Sequence, residues 1–219
     1  MLSTVTDKGQ ITLPKALRDR LGIRPGSKVE FALQSDDSVR LRVLSRGSAG
    51  LFGLLAVPCG RWKTSTSVSR PRWSSALVPR AAGAADRAMQ AVDTNLLVRL
   101  FVADDAAQAQ KVRALFDRHA DEDGAFWVAD VVLVELVLAL DRVYARPRAQ
   151  IAAALQALAG NATVRLESAA AVSEAVALYA ARPADFADCL LAVKAVRAGC
   201  EALRSFDKKM RGLPGVKSL

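Results

Sequence analysis

Ala91-Val92-Asp93-Thr94-Asn95-Leu96-Leu97-Val98-Arg99-Leu100-Phe101 is the stretch that decides the fold of the larger half of the chain. A short apolar run leads into an acid, a hydroxyl and an amide, and the residues that follow are apolar with helical spacing. This pattern is typical of a buried strand that brings a carboxylate to the end of a parallel sheet just before a helix. Acids also stand at such turns as simple helix caps, so Asp93 gains meaning only from acids further along the chain.

The rest of this half, residues 90–219, alternates between predicted strands and predicted helices. The strands are expected at 90–93, 125–128, 163–166, 201–205 and 216–219. The helices are expected at 94–101, 105–119, 131–143 (capped by Asp130), 148–158, 169–181 and 185–198. Alternation of this kind predicts an α/β domain in which a parallel sheet is flanked by helices in three layers.

Three later acids fall in apolar segments or at their ends. Glu135 lies in a helix that is apolar on nearly every face, so we expect it to be buried; an arginine partner or a place at a helix end is the ordinary alternative. Asp188 follows Asp185 at a helix start, and Asp207 follows a strand, where acids are common. Together with Asp93, the last two should meet at the carboxyl edge of one sheet. Such oxygen ligands suit Mg²⁺ or Mn²⁺, which would activate a water and stabilise charge on a phosphodiester.

These pieces resemble the PIN-domain ribonucleases and, within them, the VapC toxins, over residues 90–219. The matching segments are Val92-Asp93-Thr94-Asn95, Val134-Glu135, Asp185-Phe186-Ala187-Asp188 and Ser205-Phe206-Asp207. The resemblance implies a metal-dependent endoribonuclease whose catalytic, metal-binding residues are Asp93, Glu135, Asp188 and Asp207. It also implies that Thr94 or Ser205 orients the ligands and that Asn95 braces the turn, although the family often has Thr at position 205. A phosphohydrolase with an Asp nucleophile would need a second Asp where Asn95 stands.

The net charge of +9 is unevenly distributed along the chain. Counting Lys and Arg against Asp and Glu gives 9 − 5 = +4 for residues 1–48, 6 − 1 = +5 for 49–89 and 16 − 16 = 0 for 90–219. The N-terminal part is therefore the part expected to meet phosphates.

Cysteine and histidine usage narrows the class of protein. Three cysteines without regular spacing indicate reduced thiols, and with no apolar signal region at the N-terminus we expect a cytoplasmic protein. A single histidine argues against His-based zinc sites and Ser-His catalysis. The best apolar run, 131–140, is too short to span a membrane.

The first forty-eight residues read as a small β unit. Two short strands around Lys8-Gly9, a helix between Pro14 and Gly22, and alternating strands at 28–33 and 39–44 are expected. So small a unit cannot bury a core alone and should dimerise by interleaving its strands. The segment 8–15 with Leu21-Gly22 and Pro25-Gly26 resembles the AbrB/MazE-like swapped-hairpin domain of VapB antitoxins, over about residues 2–46. The resemblance implies operator-DNA contacts by Lys8, Gln10, Thr12, Lys15 and Arg18.

A compact apolar segment, residues 50–58, follows the β unit. A solvated linker would not carry such a segment, because exposed apolar patches usually mark a contact. It resembles the toxin-binding segment of VapB antitoxins, and we assign the toxin-binding plug to Leu51, Phe52, Leu54, Leu55, Arg61 and Trp62. The alternative is a stray helix that packs on its own β unit. The hypothesis for Arg61 is that it enters the acidic pocket and displaces metal.

Residues 59–88 show neither helical nor strand periodicity and read as a disordered or extended linker. Met89 fits an original start codon, so the linker is consistent with two genes joined by a frameshift or by cloning. We therefore expect three parts: an antitoxin domain at 1–48, a toxin-binding segment and linker at 49–88, and a PIN-domain nuclease at 89–219.

The leading interpretation is a fused antitoxin and toxin, in which a self-associating DNA-binding part restrains an endoribonuclease that acts on RNA. The alternative is a DNA-binding regulator with a catalytically silent nuclease domain. A nuclease acting on DNA or on structured RNA remains a third possibility, because the neutral charge of residues 90–219 leaves the substrate open.

Overall fold

The computed structural model describes residues 3–33, 38–56 and 89–219. Within these ranges the helices are α1 (Lys15–Leu21), α2 (Thr94–Val102), α3 (Ala106–Arg118), α4 (Asp130–Arg142), α5 (Arg148–Ala159), α6 (Ala169–Ala181) and α7 (Phe186–Arg197). The strands are β1 (Val29–Leu33), β2 (Val39–Val43), β3 (Gln90–Ala91), β4 (Phe126–Val128), β5 (Val164–Leu166), β6 (Leu203–Ser205) and β7 (Val216–Ser218), and a 3-10 helix covers Lys208–Met210.

Parallel strands flanked by helices form the C-terminal domain, as the sequence predicts. The strand order is β3-β4-β5 in one sheet, and β6 pairs with β7 in a second. We expected one continuous sheet, but β3 is only two residues long. It ends early because Asp93 already serves as the N-cap of α2, where its side chain accepts a hydrogen bond from the Leu96 N–H.

One cap differs from the expectation. Asp130 does not cap α4; Ala129 occupies that position and Asp130 is the first helical residue, only 8% exposed. The Asp130 carboxylate accepts a hydrogen bond from Lys194 Nζ at 2.7 Å, and its N–H donates to Glu167 Oε2 at 2.8 Å. Asp130 therefore connects α4 to α7 and to the residue after β5. The ion pair with Lys194 compensates in part for burying the Asp130 carboxylate.

The core lies between the sheet and the helices. Phe116 and Phe126 stack with ring centroids 4.2 Å apart, and leucines from α2 and α4 close the layer. The fully buried members of α2 and α4 are Leu97, Leu100, Phe101, Leu133, Leu136 and Leu140. Burying side chains of this size stabilises the fold by about 1.5–3 kcal/mol each.

The N-terminal unit is a β hairpin with a short helix. Strands β1 and β2 pair antiparallel from Val29↔Val43 to Leu33↔Val39. The two strands expected around Lys8-Gly9 are reduced to a single antiparallel bridge between Val5 and Ile11. Several apolar side chains of the unit are more than half exposed, namely Val5, Ile11, Phe31, Leu33 and Val39. The unit thus buries too little to be stable without a partner surface.

No helix in the described ranges is long and apolar enough to cross a membrane.

Candidate functional site: four acids and a docked N-terminal arm

The first pair of predicted site residues lies where the start of α2 meets the second turn of α4. Thr94, the first residue of α2, donates a hydrogen bond from its hydroxyl to Glu135 Oε2 at 2.6 Å. Asp93 precedes Thr94 and caps the same helix. Thr94 therefore contacts the Glu135 carboxylate, and Asn95 is an exposed residue in the first turn of α2.

The second group gathers at the start of α7 and the end of β6. Asp207 follows β6, and its backbone N–H donates to Ser205 Oγ at 3.0 Å. Burial raises the pKa of Asp188, and the negative charges of Asp185 and Asp207 raise it further, whereas Lys209 lowers it. The like charges of Asp185 and Asp207 therefore disfavour the ionised form of Asp188, and a bound cation would favour it.

The acids do not form a closed metal cage. Within residues 3–33, 38–56 and 89–219, no group of three or more His, Cys, Asp or Glu side chains is arranged so that it could hold a metal ion. The expectation that Glu135 is buried is wrong: it lies on the exposed side of α4, since only one face of that apolar helix is covered. Burial therefore gives no argument that Glu135 needs a cation, and its hydroxyl partner Thr94 satisfies one of its oxygens.

Residues 45–55, which we call the arm, bind along the C-terminal domain. Ser45 forms a parallel bridge with Asn161, just before β5. The Ser45 N–H donates to the Gly160 carbonyl at 3.1 Å, and the Ser45 carbonyl accepts from the Ala162 N–H at 2.8 Å. The Gly47 N–H donates to Thr163 Oγ1 at 2.8 Å, and Asn161 Nδ2 donates to the Gly47 carbonyl at 2.9 Å. These bonds are buried, so each would be costly to leave unmade.

A charged contact continues the arm onto α3 and the loop after it. The N–H and hydroxyl of Ser48 both donate to Asp117 Oδ1, at 3.0 and 2.6 Å. Arg46 donates to the Ala120 carbonyl at 3.0 Å and to Asp123 Oδ1 at 2.9 Å. The pKa of Asp117 lies below its usual range: burial opposes this shift, but the hydrogen bonds from Ser48 and the charge of Arg113 outweigh it.

The predicted plug supplies the apolar end of the arm. Leu51 is fully buried and Leu55 is 4% exposed, while Phe52 is partly buried beneath the Arg113 guanidinium, 5.1 Å from its ring centroid. Leu54 is the exception at 45% exposed. The alternative that this segment packs on its own hairpin is not what the structure shows. Arg61 and Trp62 lie outside the described residues.

The plug contacts the far end of the helix that begins at Asp93. The N–H groups of Gly53 and Leu55 donate to the carbonyls of Leu100 and Phe101, both at 2.9 Å, and Arg146 Nη2 donates to the Leu55 carbonyl at 2.6 Å. Leu100 is seven residues beyond Asp93, or roughly 11 Å along a helix. The described arm therefore contacts the C-terminal end of α2, opposite the end that carries Asp93.

The predicted DNA-facing residues share one property. They are all solvent-exposed in the N-terminal unit: Lys8, Gln10, Thr12, Lys15 and Arg18. Gly9 has φ 72°, a backbone conformation that residues other than glycine rarely adopt. It therefore shapes the turn between Lys8 and Gln10.

Comparison with known proteins assigns both halves. The family model described as PIN domain matches residues 91–216, more than half of the chain. The chain belongs to the PIN-domain family. Ahead of the PIN domain, residues 2–47 match the model described as antidote-toxin recognition MazE, bacterial antitoxin. The PIN half is also 26% identical over 131 residues to a VapC ribonuclease from Aquifex aeolicus (strain VF5), covering 60% of this chain and 96% of that protein. The comparison with solved structures found no match.

An antitoxin domain thus precedes a PIN domain in one polypeptide, in the order of a VapB–VapC fusion. Sequence reasoning missed the residues of the PIN domain that receive the arm, Asp117, Asn161 and Thr163. They carry no distinguishing sequence signal, because an acid late in an amphipathic helix and an Asn-Ala-Thr turn are both commonplace. The dipeptide Gly47-Ser48 after the second hairpin strand was the one available hint of a tight contact.

Proposed function

We propose that this chain is a fused antitoxin–toxin whose PIN domain is a metal-dependent endoribonuclease with Asp93, Glu135, Asp188 and Asp207 as its catalytic, metal-binding residues. The observation that supports it best is the proximity of Asp185 and Asp207 to Asp188: burial raises the pKa of Asp188, and the charges of these two acids raise it further. The relative named VapC ribonuclease supports the choice of RNA as substrate.

The donor chemistry fits a hard divalent cation, Mg²⁺ or Mn²⁺, because every candidate ligand is a carboxylate oxygen. Such an ion would activate a water and stabilise charge on the phosphodiester. Thr94 holds the Glu135 carboxylate through its hydroxyl, and Ser205 holds the turn that presents Asp207. The carboxylates must draw closer than they stand here to share one ion, and we expect the ion to bring them together.

Asp93→Asn tests the nuclease against a matched control. Asn retains helix-capping ability but loses the charge. Asp105 caps α3 with the same geometry, accepting from the Gln108 N–H at 3.0 Å where Asp93 accepts from Leu96 at 2.9 Å. We expect Asp93→Asn to abolish Mg²⁺-dependent RNA cleavage and Asp105→Asn to leave it intact. Equal cleavage by both variants would reject the assignment.

Residues beyond Leu55 are proposed to restrain the nuclease. Arg61 is six residues past Leu55, an extended reach of roughly 20 Å, against the roughly 11 Å that separates Leu100 from Asp93 along α2. Arg61 can therefore reach the acids and neutralise them in place of metal. Arg61→Ala should increase RNA cleavage, and unchanged activity would reject this role.

The N-terminal part, residues 1–48, is proposed to bind operator DNA as a swapped-hairpin dimer. The exposed residues Lys8, Gln10, Thr12, Lys15 and Arg18 are the proposed contacts, and the exposed apolar face that includes Phe31 and Val39 is the proposed dimer surface. Lys8→Ala should weaken DNA binding and reduce the slope of log affinity against log salt by about the contribution of one phosphate contact. Lys111→Ala on α3 should change neither.

The alternative function is a DNA-binding regulator with a silent nuclease domain. The observation that favours it is the absence of a three-carboxylate metal group from the described part of the chain. This alternative would be selected if the chain binds DNA and if its effect on RNA is the same with and without Mg²⁺ and in the Asp93→Asn variant.

A further inference from the structure

The most exposed aromatic side chain in the described part of the chain stands directly beside a proposed catalytic acid. Phe206 has 83% of its surface accessible and lies between Ser205 and Asp207. A large apolar ring left in water forgoes the free energy that burial would supply. A single exposed apolar side chain is common on protein surfaces, so the neighbours of Phe206 decide what it can bind.

The backbone on both sides of Phe206 is held by hydrogen bonds. The Asp207 N–H donates to Ser205 Oγ at 3.0 Å, and the Lys209 N–H donates to Asp207 Oδ1 at 2.8 Å. Met210 is buried at the end of the 3-10 helix and anchors the segment to the core. The ring is therefore presented to solvent by a fixed segment of chain.

Basic residues flank this ring in the sequence. Residues 204–211 carry one acid, Asp207, against four exposed basic side chains: Arg204, Lys208, Lys209 and Arg211. Lys209 lies close enough to the acids to lower the pKa of Asp188. An exposed aromatic ring among basic residues is the arrangement by which proteins bind single-stranded nucleic acid, stacking a base while the cations follow the phosphates.

We propose that Phe206, flanked by Lys208 and Lys209, is a stacking platform for one unpaired base of a single-stranded RNA next to the phosphodiester at the acids. The proposal rests on the proposed nuclease function and narrows its substrate class. A base inside a duplex has both faces covered by its neighbours, so the platform selects splayed-out nucleotides. A second copy of the same surface is disfavoured, because four cations would face four cations.

The test measures binding to the full chain carrying Asp93→Asn, which prevents cleavage. The probes are a labelled single-stranded oligoribonucleotide, an abasic oligomer of equal length and the corresponding duplex. Phe206→Ala should weaken binding of the single strand about 5- to 100-fold, and Phe206→Trp should retain it. The abasic oligomer should bind Phe206→Ala and the parent equally. Leu138→Ala, which removes another exposed apolar side chain, is the control and should change nothing.

Salt dependence separates stacking from charge. Phe206→Ala should leave the slope of log affinity against log salt unchanged, whereas Lys208→Ala should reduce it by about 0.7. The proposal is overturned if the parent does not bind the single strand, if Phe206→Ala binds as tightly as the parent, or if Phe206→Ala instead changes the oligomeric state. Cleavage assayed separately with native Asp93 tests the nuclease itself: its absence, with base-dependent binding intact, would reject the nuclease and leave the platform standing.

Discussion

Asp188 shows how one carboxylate can lower the stability of the fold. Its pKa is raised in the folded chain by burial and by Asp185 and Asp207, so the folded chain keeps this proton to a higher pH than the unfolded chain does. Ionised Asp188 therefore destabilises the fold once the pH rises above the unfolded pKa of about 3.9.

Asp188→Asn should raise the melting temperature at neutral pH in the absence of metal, because the amide mimics the protonated acid. The rise should stay within about 2–4 °C, the shift that 1 kcal/mol produces in a chain of this size. The gain should vanish near pH 3, below the unfolded pKa of about 3.9, because the acid is then protonated in both the folded and the unfolded chain. The variant should also lose RNA cleavage. Thermal melts at both pH values check this, and a lower melting temperature at pH 7 would contradict it.

Thr94 acts at the same scale through a single hydrogen bond of 2.6 Å to Glu135. Thr94→Val removes the hydroxyl and keeps the shape, so we expect RNA cleavage to fall about 10- to 100-fold, as for other groups that orient a ligand. Thr94→Ser keeps the hydroxyl and should remain close to the parent. Titration of cleavage against Mg²⁺ concentration measures the effect, and equal curves for the Val and Ser variants would rule out the orienting role.

Among the elements, the junction of α6 and α7 depends on Arg148 in the first turn of α5. Its guanidinium donates to the carbonyls of Tyr179 (2.5 Å), Arg182 (2.6 Å) and Ala184 (3.0 Å), and lies 4.0 Å from the Tyr179 ring centroid. These carbonyls end α6 and form the loop that leads to Asp185 and Asp188. A planar fork can satisfy several carbonyls at once, which an ammonium cannot.

Arg148→Lys should therefore loosen the loop while keeping the charge. Hydrogen bonds to charged groups contribute about 1.5–3 kcal/mol each, so we expect the melting temperature to drop by about 4–8 °C and cleavage to weaken with it. Arg142→Lys at the exposed end of α4 is the matched control and should alter neither. Equal melting curves for Arg148→Lys and Arg142→Lys would contradict the role of the Arg148 guanidinium in holding the loop between α6 and α7.

The alternating strands and helices of the PIN domain were predictable because their apolar periodicity is strong and their turns are marked by Asp, Gly and Pro. The assignment of the four acids to a site stays a prediction, and the burial expected for Glu135 is wrong. Glu135 is exposed because helix amphipathicity is weak in an all-apolar segment, and the covered face is decided by packing. The seat of the arm was not predictable, because it depends on pairings such as Gly47 with Thr163 between residues more than a hundred positions apart.

At the scale of the whole molecule, the binding of the arm to the PIN domain depends on one glycine, Gly47. Gly47 has φ 56°, and a Cβ there would meet Ala120 Cβ at 2.9 Å and Asp117 Oδ1 at 3.2 Å. Gly50 has φ 75° and no atom closer than 3.8 Å to an added Cβ. The two positions share the backbone strain of a left-handed residue, but only Gly47 is also crowded.

Gly47→Ala should therefore release the arm, and Gly50→Ala should not. Crowding costs about 1–3 kcal/mol, so the amide hydrogens of Gly53 and Leu55 should exchange about 5- to 100-fold faster in Gly47→Ala than in Gly50→Ala. Hydrogen exchange followed by mass spectrometry reads this directly. If both variants exchange alike, backbone strain alone governs the arm and the crowding at Ala120 is irrelevant.

The arm begins its contacts at Ser45, only two residues after β2 ends. A protease that cuts between Val43 and Ser45 would separate the hairpin from the arm and leave Leu51 and Leu55 bound to the PIN domain. Under the proposed function, repression of a promoter and inhibition of the enzyme would then end at different times, the first with one cut and the second only when the bound peptide dissociates.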